Sequence, residues 1–144
     1  MKSFLDGYNC SQCMILAFED LVTIDLDTAL KIASPFGGGM GRLREVCGSV
    51  SGTFMVLGYI LGYNEPEDYD GKKVLYEHIQ ELARRYEDAN GSIICRDLLG
   101  LTEKRQESTP EKRTAEYYKN RPCTEKIGSA AEILETYLIE LSII

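Results

Sequence analysis

Hydrophobic positions recur with spacings of three and four residues along much of the chain, which is the period of an amphipathic helix. The pattern predicts helices over about residues 10–21, 27–33, 69–88 and 123–141. The apolar face of the last one is the most continuous, and its members are Ile127, Ala130, Ala131, Leu134, Leu138 and Leu141. No stretch alternates between apolar and polar residues as a half-buried strand does. The pattern therefore predicts an all-α fold.

A fifth predicted helix, over about residues 45–62, is apolar on all sides and follows the glycine-rich segment 36–41. Residues 46–63 carry no charge, a length close to the lower limit for a membrane-spanning helix. This stretch also contains four glycines and several hydroxyl side chains, which favour a helix buried at the centre of a bundle over a membrane span. The spacings Gly48-x3-Gly52 and Gly58-x3-Gly62 place small residues together, so we expect another backbone to pack closely there.

Signals for helix ends support this division of the chain. Asn9 and Gln12 have the spacing of a capping box at the start of the first long helix. Asn90 and Gly91 end the helix before them, and Ser92 is placed to cap a short helix that contains Cys95. Residues 102–113 are polar and predict a loop. We expect one domain over residues 1–144, a compact bundle of four to five longer helices plus short ones.

The net charge, the first residues and the cysteine count limit the expected binding partners and the expected cellular compartment. The 144-residue chain has a net charge of -7, which argues against nucleic acid or an anionic membrane surface as the main partner. The first residues do not form the apolar run of a secretory signal, so we expect a cytoplasmic protein. Its five cysteines are then expected to be reduced, metal-binding or redox-active, because structural disulfides are rare in that compartment.

The cysteines share one feature, a predicted position at or near the start of a helix. They are Cys10, Cys13, Cys47, Cys95 and Cys123. A helix N-terminus favours the thiolate, the form that binds metals and attacks disulfides. Basic residues are close in sequence, namely Arg42, Arg44, Arg96, Lys119 and Arg121. The alternative is that buried cysteines act as small hydrophobic residues.

Other chemistries are poorly supported by the residues. Cys10 and Cys13 form a Cys-x-x-Cys pair, but no strand precedes it as in thioredoxin-like proteins, and Met14 stands where haem attachment needs histidine. His78 is the single histidine, so a hydrolytic triad is not favoured; it is expected to be a partly exposed helix residue, the alternative being a fourth ligand or proton carrier. The segment 36–41 lacks the context of a phosphate loop and predicts a tight bend.

Several segments together resemble one known family. They read Gly-Tyr-Asn-Cys at 7–10, Phe-Gly-Gly-Gly-Met-Gly at 36–41, Cys-Gly-Ser-Val-Ser-Gly at 47–52 and Cys-Arg-Asp-Leu-Leu-Gly at 95–100, followed by Cys123. This set resembles the C_GCAxxG_C_C family of redox-active proteins over nearly the whole chain. The resemblance implies a helical protein whose four family cysteines are Cys10, Cys47, Cys95 and Cys123. A similar sequence in split-Soret cytochromes implies an iron–sulfur centre; their haem sites have no counterpart here.

The chain departs from the family pattern at two positions. The family signature usually reads Cys-Gly-Ala-x-x-Gly, and Ser49 stands where it has alanine. Because both side chains are small, we expect this exchange to change little. Cys13 stands where family members usually have alanine or another small residue. It is either a neutral substitution or half of a dithiol that other members lack.

Three hypotheses follow. In the first, Cys10, Cys47, Cys95 and Cys123 bind an iron–sulfur cluster of the two-iron (2Fe-2S) kind, and the protein transfers electrons to a redox partner protein. In the second, an oxidoreductase without metal uses Cys10 or Cys13 with Cys47 as catalytic thiols in thiol–disulfide exchange. In the third, the bundle is a structural or storage module that binds zinc. All three require distant cysteines to be brought together by the fold.

The glycine faces and the apolar stretch 46–63 offer more surface than one small bundle covers, so we expect a homodimer without a membrane span. Sedimentation at micromolar concentration should give twice the mass of the chain. A monomer under those conditions would contradict this expectation.

Overall fold

A computed structural model of the chain describes residues 2–103 and 105–144. Its helices are α1 (Lys2–Leu5), α2 (Cys10–Ala17), α3 (Leu26–Ala33), α4 (Gly48–Leu61), α5 (Tyr69–Asn90), α6 (Cys95–Leu98), α7 (Ala115–Asn120) and α8 (Cys123–Glu140). A 3-10 turn, Ser34–Phe36, and a further turn, Gly37–Met40, follow α3. Within these described ranges no β-strand forms, and five helices have eight or more residues. The predicted all-α fold with four to five longer helices is confirmed.

Helix α2 begins where the sequence predicts and ends earlier. The Asn9 side chain accepts a hydrogen bond from the Gln12 amide, and the Gln12 side chain accepts one from the Asn9 amide, so the capping box is present. The helix ends at Ala17 and not at residue 21. The Phe18 amide bonds to the carbonyl of Ile15, three residues back, and this tighter turn redirects the chain toward α3.

The start of α4 was predicted too early. Residues 45–47 are not helical; they pair with residues 93–95 in an isolated antiparallel bridge between Val46 and Ile94. The Cys47 amide donates to the Ile93 carbonyl at 2.8 Å, and the Cys95 amide donates to the Glu45 carbonyl at 2.6 Å. These backbone groups find partners across the bridge, so the helix begins only at Gly48.

Two local predictions between α5 and α8 need correction. Ser92 does not cap α6: its hydroxyl accepts from the Ile94 amide and donates to the Asp97 carboxylate, and Ile94 occupies the N-cap position. Helix α7 was not predicted; Thr114 caps it by accepting from the Tyr117 amide. The predicted loop at 102–113 has no helix in its described part, residues 102–103 and 105–113.

One hydrophobic core contains side chains from each of the helices α1, α2, α3, α4, α5 and α8. The largest fully buried side chains in it are Phe4, Met14, Leu57, Leu82, Ile127, Leu134 and Leu138. Helix α4 has 14 residues and so spans about 21 Å, shorter than the roughly 30 Å apolar layer of a membrane. None of the described helices combines the length and the apolar character that crossing a membrane requires.

The predicted close approach at the glycines of α4 occurs with α2 of the same chain. A Cβ at Gly52 would lie 2.7 Å from the Met14 Cβ and 2.9 Å from the Ser11 carbonyl oxygen. A Cβ at Gly58, in contrast, meets nothing within 4 Å. One of the two glycine spacings on which the dimer expectation rests is therefore used inside the bundle, against α2.

This difference gives a matched pair of variants in one helix. Gly52→Ala should lower the free energy of unfolding by about 1–3 kcal/mol, because α2 must move to admit the methyl group. Gly58→Ala should raise it by about 0.5–1 kcal/mol, because alanine favours the helix and no neighbour is displaced. Urea unfolding of both variants measures the effect, and equal destabilisation by the two would contradict the proposed packing.

Candidate functional site

Four of the five cysteines lie at helix starts that converge on one cavity. Cys10, Cys95 and Cys123 are the first residues of α2, α6 and α8, and Cys47 is the N-cap of α4. All four line a cavity of about 60 Å³. Cys47 and Cys95 are buried, Cys10 and Cys123 are partly exposed, and every cysteine of the chain is a free thiol. The fold thus places around one space four side chains that are distant in sequence.

Glycines allow this convergence where the backbone approaches a cysteine. A Cβ at Gly48 would lie 2.6 Å from the Cys10 sulfur. Gly39, with a left-handed φ of +66°, passes so close to Cys95 that a Cβ would lie 2.5 Å from the cysteine Cβ. The predicted tight bend at 36–41 is therefore present. Its glycines are required both by the left-handed backbone and by contact with the cysteine cluster.

Arg44 is a buried cation beside the thiols. Its side chain is 5% exposed, and its Nη1 donates to the Cys95 sulfur at 3.5 Å. Its Nε and Nη2 donate to the Gln106 side-chain oxygen. Within the described ranges it forms no ion pair with a carboxylate. A buried charge without a counter-charge is costly, so this arrangement favours an anionic group in the cavity.

The other basic residues near the cysteines divide into two groups. Arg121 lines the cavity, as do Arg113 and Lys126, which the sequence analysis did not single out. Arg42 and Arg96 lie in ion pairs with Glu111 and Glu45 and are not among the residues that line it; neither is Lys119. The guanidinium of Arg113 stacks on the Phe4 ring and donates to the Phe4 carbonyl oxygen. It therefore ties the segment before α7 to α1.

Two hydroxyl groups contact the sulfur of Cys47. The Ser49 oxygen lies 3.1 Å from it, and the Tyr86 hydroxyl donates to it at 3.8 Å. The Ser49 hydroxyl also lies 3.4 Å from the Tyr86 oxygen, and both side chains are buried. The added hydroxyl thus contacts the sulfur of a family cysteine, and the expectation that serine in place of alanine changes little stays a prediction.

Burial raises the pKa of three of the four thiols at the cavity. Burial of the sulfur raises the pKa of Cys10, and the neighbouring Cys47 and Cys123 raise it further, against a lowering by the Gly38 amide. Burial and then the same kind of repulsion raise the pKa of Cys123 to about 11. Burial also raises the pKa of Cys95, although Arg44 acts in the opposite direction. Burial and repulsion outweigh the predicted thiolate-favouring effect of the helix starts.

Cys13 and His78 lie away from this cluster. Cys13 is fully buried in the core, contacts the Tyr8 carbonyl oxygen and does not line the cavity. His78 hydrogen-bonds through Nδ1 to the Tyr137 hydroxyl at 2.6 Å, between α5 and α8, and does not line the cavity either. The fold thus separates both residues from the four converging cysteines.

A metal group bound by thiolates needs sulfurs at suitable separations and room between them. In the described ranges no three His, Cys, Asp or Glu side chains form a set that could hold one metal ion. One tetrahedral zinc at 2.3 Å from each sulfur would need sulfurs less than about 4 Å apart. A cluster of several irons with bridging sulfide spans a wider set of thiols. The donor chemistry, four thiols with a buried cation, and the room for several water-sized atoms suit such a cluster.

The family model described as "Putative redox-active protein (C_GCAxxG_C_C)" matches residues 8–137. The chain belongs to this family. The match includes all five cysteines, the glycine-rich turn and Ser49, and it confirms the resemblance stated from the motifs. No curated protein and no solved structure matches the chain. The family description assigns a redox role and names no metal or reaction.

Some residues of the site carry no sequence signal of their own. Tyr86 reads as one apolar position of a regular helix face, and its position beside Cys47 follows only from the packing of α5 on α4. Arg113 and Lys126 are unremarkable charges in polar stretches. Ser49 did have a signal, since it is the second residue after the family cysteine Cys47 and departs from the usual alanine.

Raised thiol pKa values predict how stability depends on pH in the metal-free, reduced protein. An unfolded thiol ionises near pH 8.5, whereas Cys123 keeps its proton in the folded state to about 11. The folded state therefore loses stability as pH rises through this interval. Unfolding by urea at pH 7.5 and pH 10 should show the loss, and Cys123→Ser should make it smaller. An unchanged loss in that variant would contradict this assignment.

Proposed function

We propose that this redox-active protein transfers electrons through an iron–sulfur cluster of the two-iron kind. Cys10, Cys47, Cys95 and Cys123 would hold the cluster. When bound, such a cluster accepts and releases one electron at a time. We further propose that the protein acts as an oxidoreductase component in the cytoplasm, delivers electrons to another protein and forms a homodimer.

The observation that carries the proposal is the buried Arg44 beside four thiols around one cavity. Four thiolates with the charges of two irons and two sulfides leave a net negative charge, and Arg44 supplies a cation that has no carboxylate partner among the described residues. Because a metal replaces the protons of its thiol ligands, binding would also offset the free-energy cost of ionising sulfurs in this cavity.

The residues of the chain have definite tasks in this proposal. The four helix starts direct their sulfurs inward and keep two of them away from water. Arg44 and Lys126 would offset negative charge at the cavity, whereas the Arg121 guanidinium, which also lines it, already pairs with the Glu111 carboxylate. The stacked Arg113 holds the segment before α7 against α1, which covers one side of the cavity. Exclusion of water protects a bound group from hydrolysis and raises the strength of nearby charges.

The thiol–disulfide alternative receives less support from the geometry. It needs a reactive thiolate and a nearby partner, but Cys13 lies outside the cavity, and burial raises its pKa above the ordinary value. Cys10 and Cys47 remain a possible pair, since both line the cavity. Thiol counting with and without reductant separates the cases: a reversible loss of two thiols in iron-free protein would favour exchange.

Loading with iron tests the proposal directly. Protein purified without oxygen, or reconstituted with iron and sulfide, should be brown and contain two irons and two sulfides per chain. Alanine in place of Cys47 or Cys123 should reduce the bound iron severalfold, because one ligand is lost. Cys13→Ala is the matched control and should load like the unaltered protein, because Cys13 does not line the cavity.

Other results of the iron-loading experiment would contradict particular parts of the proposal. Colourless, iron-free protein after reconstitution rejects the cluster. Four irons per chain would reject the two-iron kind while keeping the ligands. Zinc bound in place of iron, with no redox change, would support the structural alternative. Equal loss of iron from the Cys13 variant and the Cys47 variant would contradict the assigned ligand set.

A further inference from the structure

We propose that Ser49 and Tyr86 both donate hydrogen bonds to the Cys47 sulfur and thereby raise the reduction potential of the centre bound there. The inference rests on the proposed cluster. Ser49 and Tyr86 would not be ligands of the cluster. Their role would be to direct hydroxyl hydrogen atoms at the Cys47 sulfur.

The contacts at Cys47 form a closed triangle of three polar atoms. The Ser49 oxygen is 3.1 Å from the sulfur, the Tyr86 oxygen is 3.8 Å from it, and the two oxygens are 3.4 Å apart. Ser49 is 0% exposed and Tyr86 is 2% exposed. Water therefore does not compete for these hydroxyl groups, and each must find its partner within the triangle.

Binding of a metal decides the direction of these hydrogen bonds. A free Cys47 thiol can donate its own proton to the Ser49 oxygen. A metal-bound sulfur has no proton and can only accept. The single proton of Ser49, which can go to the Tyr86 oxygen at 3.4 Å while the thiol keeps its own, would then turn to the sulfur at 3.1 Å. Tyr86 would donate to the same sulfur, and the shorter contact would be a hydrogen bond to an anionic sulfur, the stronger kind.

Such donors act on the redox equilibrium and not only on binding. Reduction adds negative charge to the cluster and its sulfurs, and a donor stabilises the more negative state to a greater degree. Hydrogen bonds to the sulfurs are one of the terms that set the potential of an iron–sulfur centre. Removing the two hydroxyl groups should therefore make the reduced state less favourable and lower the potential.

The polar groups beside the sulfurs of Cys10, Cys47 and Cys95 differ, and this sets Cys47 apart. The Cys95 sulfur accepts a hydrogen bond from the Arg44 guanidinium at 3.5 Å, and the Gly38 amide acts to lower the pKa of the Cys10 thiol. Hydroxyl groups of side chains reach the sulfur of Cys47. Because a hydroxyl can be removed by a conservative substitution, its effect can be measured without the loss of a ligand or a charge.

The test compares three single variants of the loaded protein. Ser49→Ala and Tyr86→Phe each remove one hydroxyl and keep the rest of the side chain. Ser51→Ala is the matched control, because its hydroxyl is in the same helix and lies near the Cys47 and Gly48 carbonyl oxygens, not the sulfur. The reduction potential is measured by a dye-mediated titration of the visible absorption, with iron and sulfide content determined for each sample.

We expect the potential to fall in Ser49→Ala and in Tyr86→Phe and to stay unchanged in Ser51→Ala. The double variant should change the reduction equilibrium by about tenfold or more, and each tenfold corresponds to about 59 mV for a one-electron couple. Because Ser49 and Tyr86 also contact each other, the two single shifts are not expected to add exactly as independent terms.

The outcomes separate this inference from the proposed function. If the unaltered protein holds no iron, the proposed function fails and the inference fails with it. If it holds iron but both hydroxyl variants keep its potential, or Ser51→Ala shifts it equally, only the inference is overturned. Loss of the cluster from the hydroxyl variants, with Ser51→Ala loaded normally, would show a role in assembly and overturn the role in tuning.

Discussion

Close contact between glycine backbone and cysteine side chains is the constraint on which the arrangement of the cavity depends. Gly48 leaves space for the Cys10 sulfur at the contact of α2 with α4, and Gly39 leaves space for Cys95 beside the left-handed turn. Any larger residue at either position would push one cysteine out of place. The pairing of residues 45–47 with 93–95 then brings Cys47 and Cys95 to the same side.

The buried thiols and the buried Arg44 together favour an anionic group in the cavity. Burial favours the protonated forms of Cys10, Cys95 and Cys123, and ionised sulfurs around this cavity would repel one another. Arg44 is buried beside them and pairs with no carboxylate among the described residues. A bound metal with thiolate ligands, as proposed, would resolve both features, since the metal would replace the protons and the complex would carry the negative charge.

The polar groups beside the sulfurs differ from one cysteine to the next, and the proposed tuning of the reduction potential depends on this difference. Different groups act on different sulfurs: the Gly38 amide of the glycine-rich turn acts to lower the pKa of Cys10, the Arg44 guanidinium donates to Cys95, and two hydroxyls from α4 and α5 lie beside Cys47. Family membership describes what such chains share. Ser49 is a feature of this chain, and the effect proposed for it would act through one sulfur.

Hydrophobic periodicity, capping residues and glycine spacing predicted the all-α class, the approximate helices, the α2 capping box and the glycine contact between backbones, because these depend on local spacing and on the absence of a side chain. The positions of the cysteines at helix starts were also readable, since caps and breaks are local. Tertiary structure decided which cysteines meet: Cys13 is three residues from Cys10, yet it lies outside the cavity. It also decided the late start of α4, the burial of Arg44 and the approach of Tyr86 to Cys47. Each of these depends on contacts between segments far apart in the chain, and the spacing of residues along one segment holds no information about them.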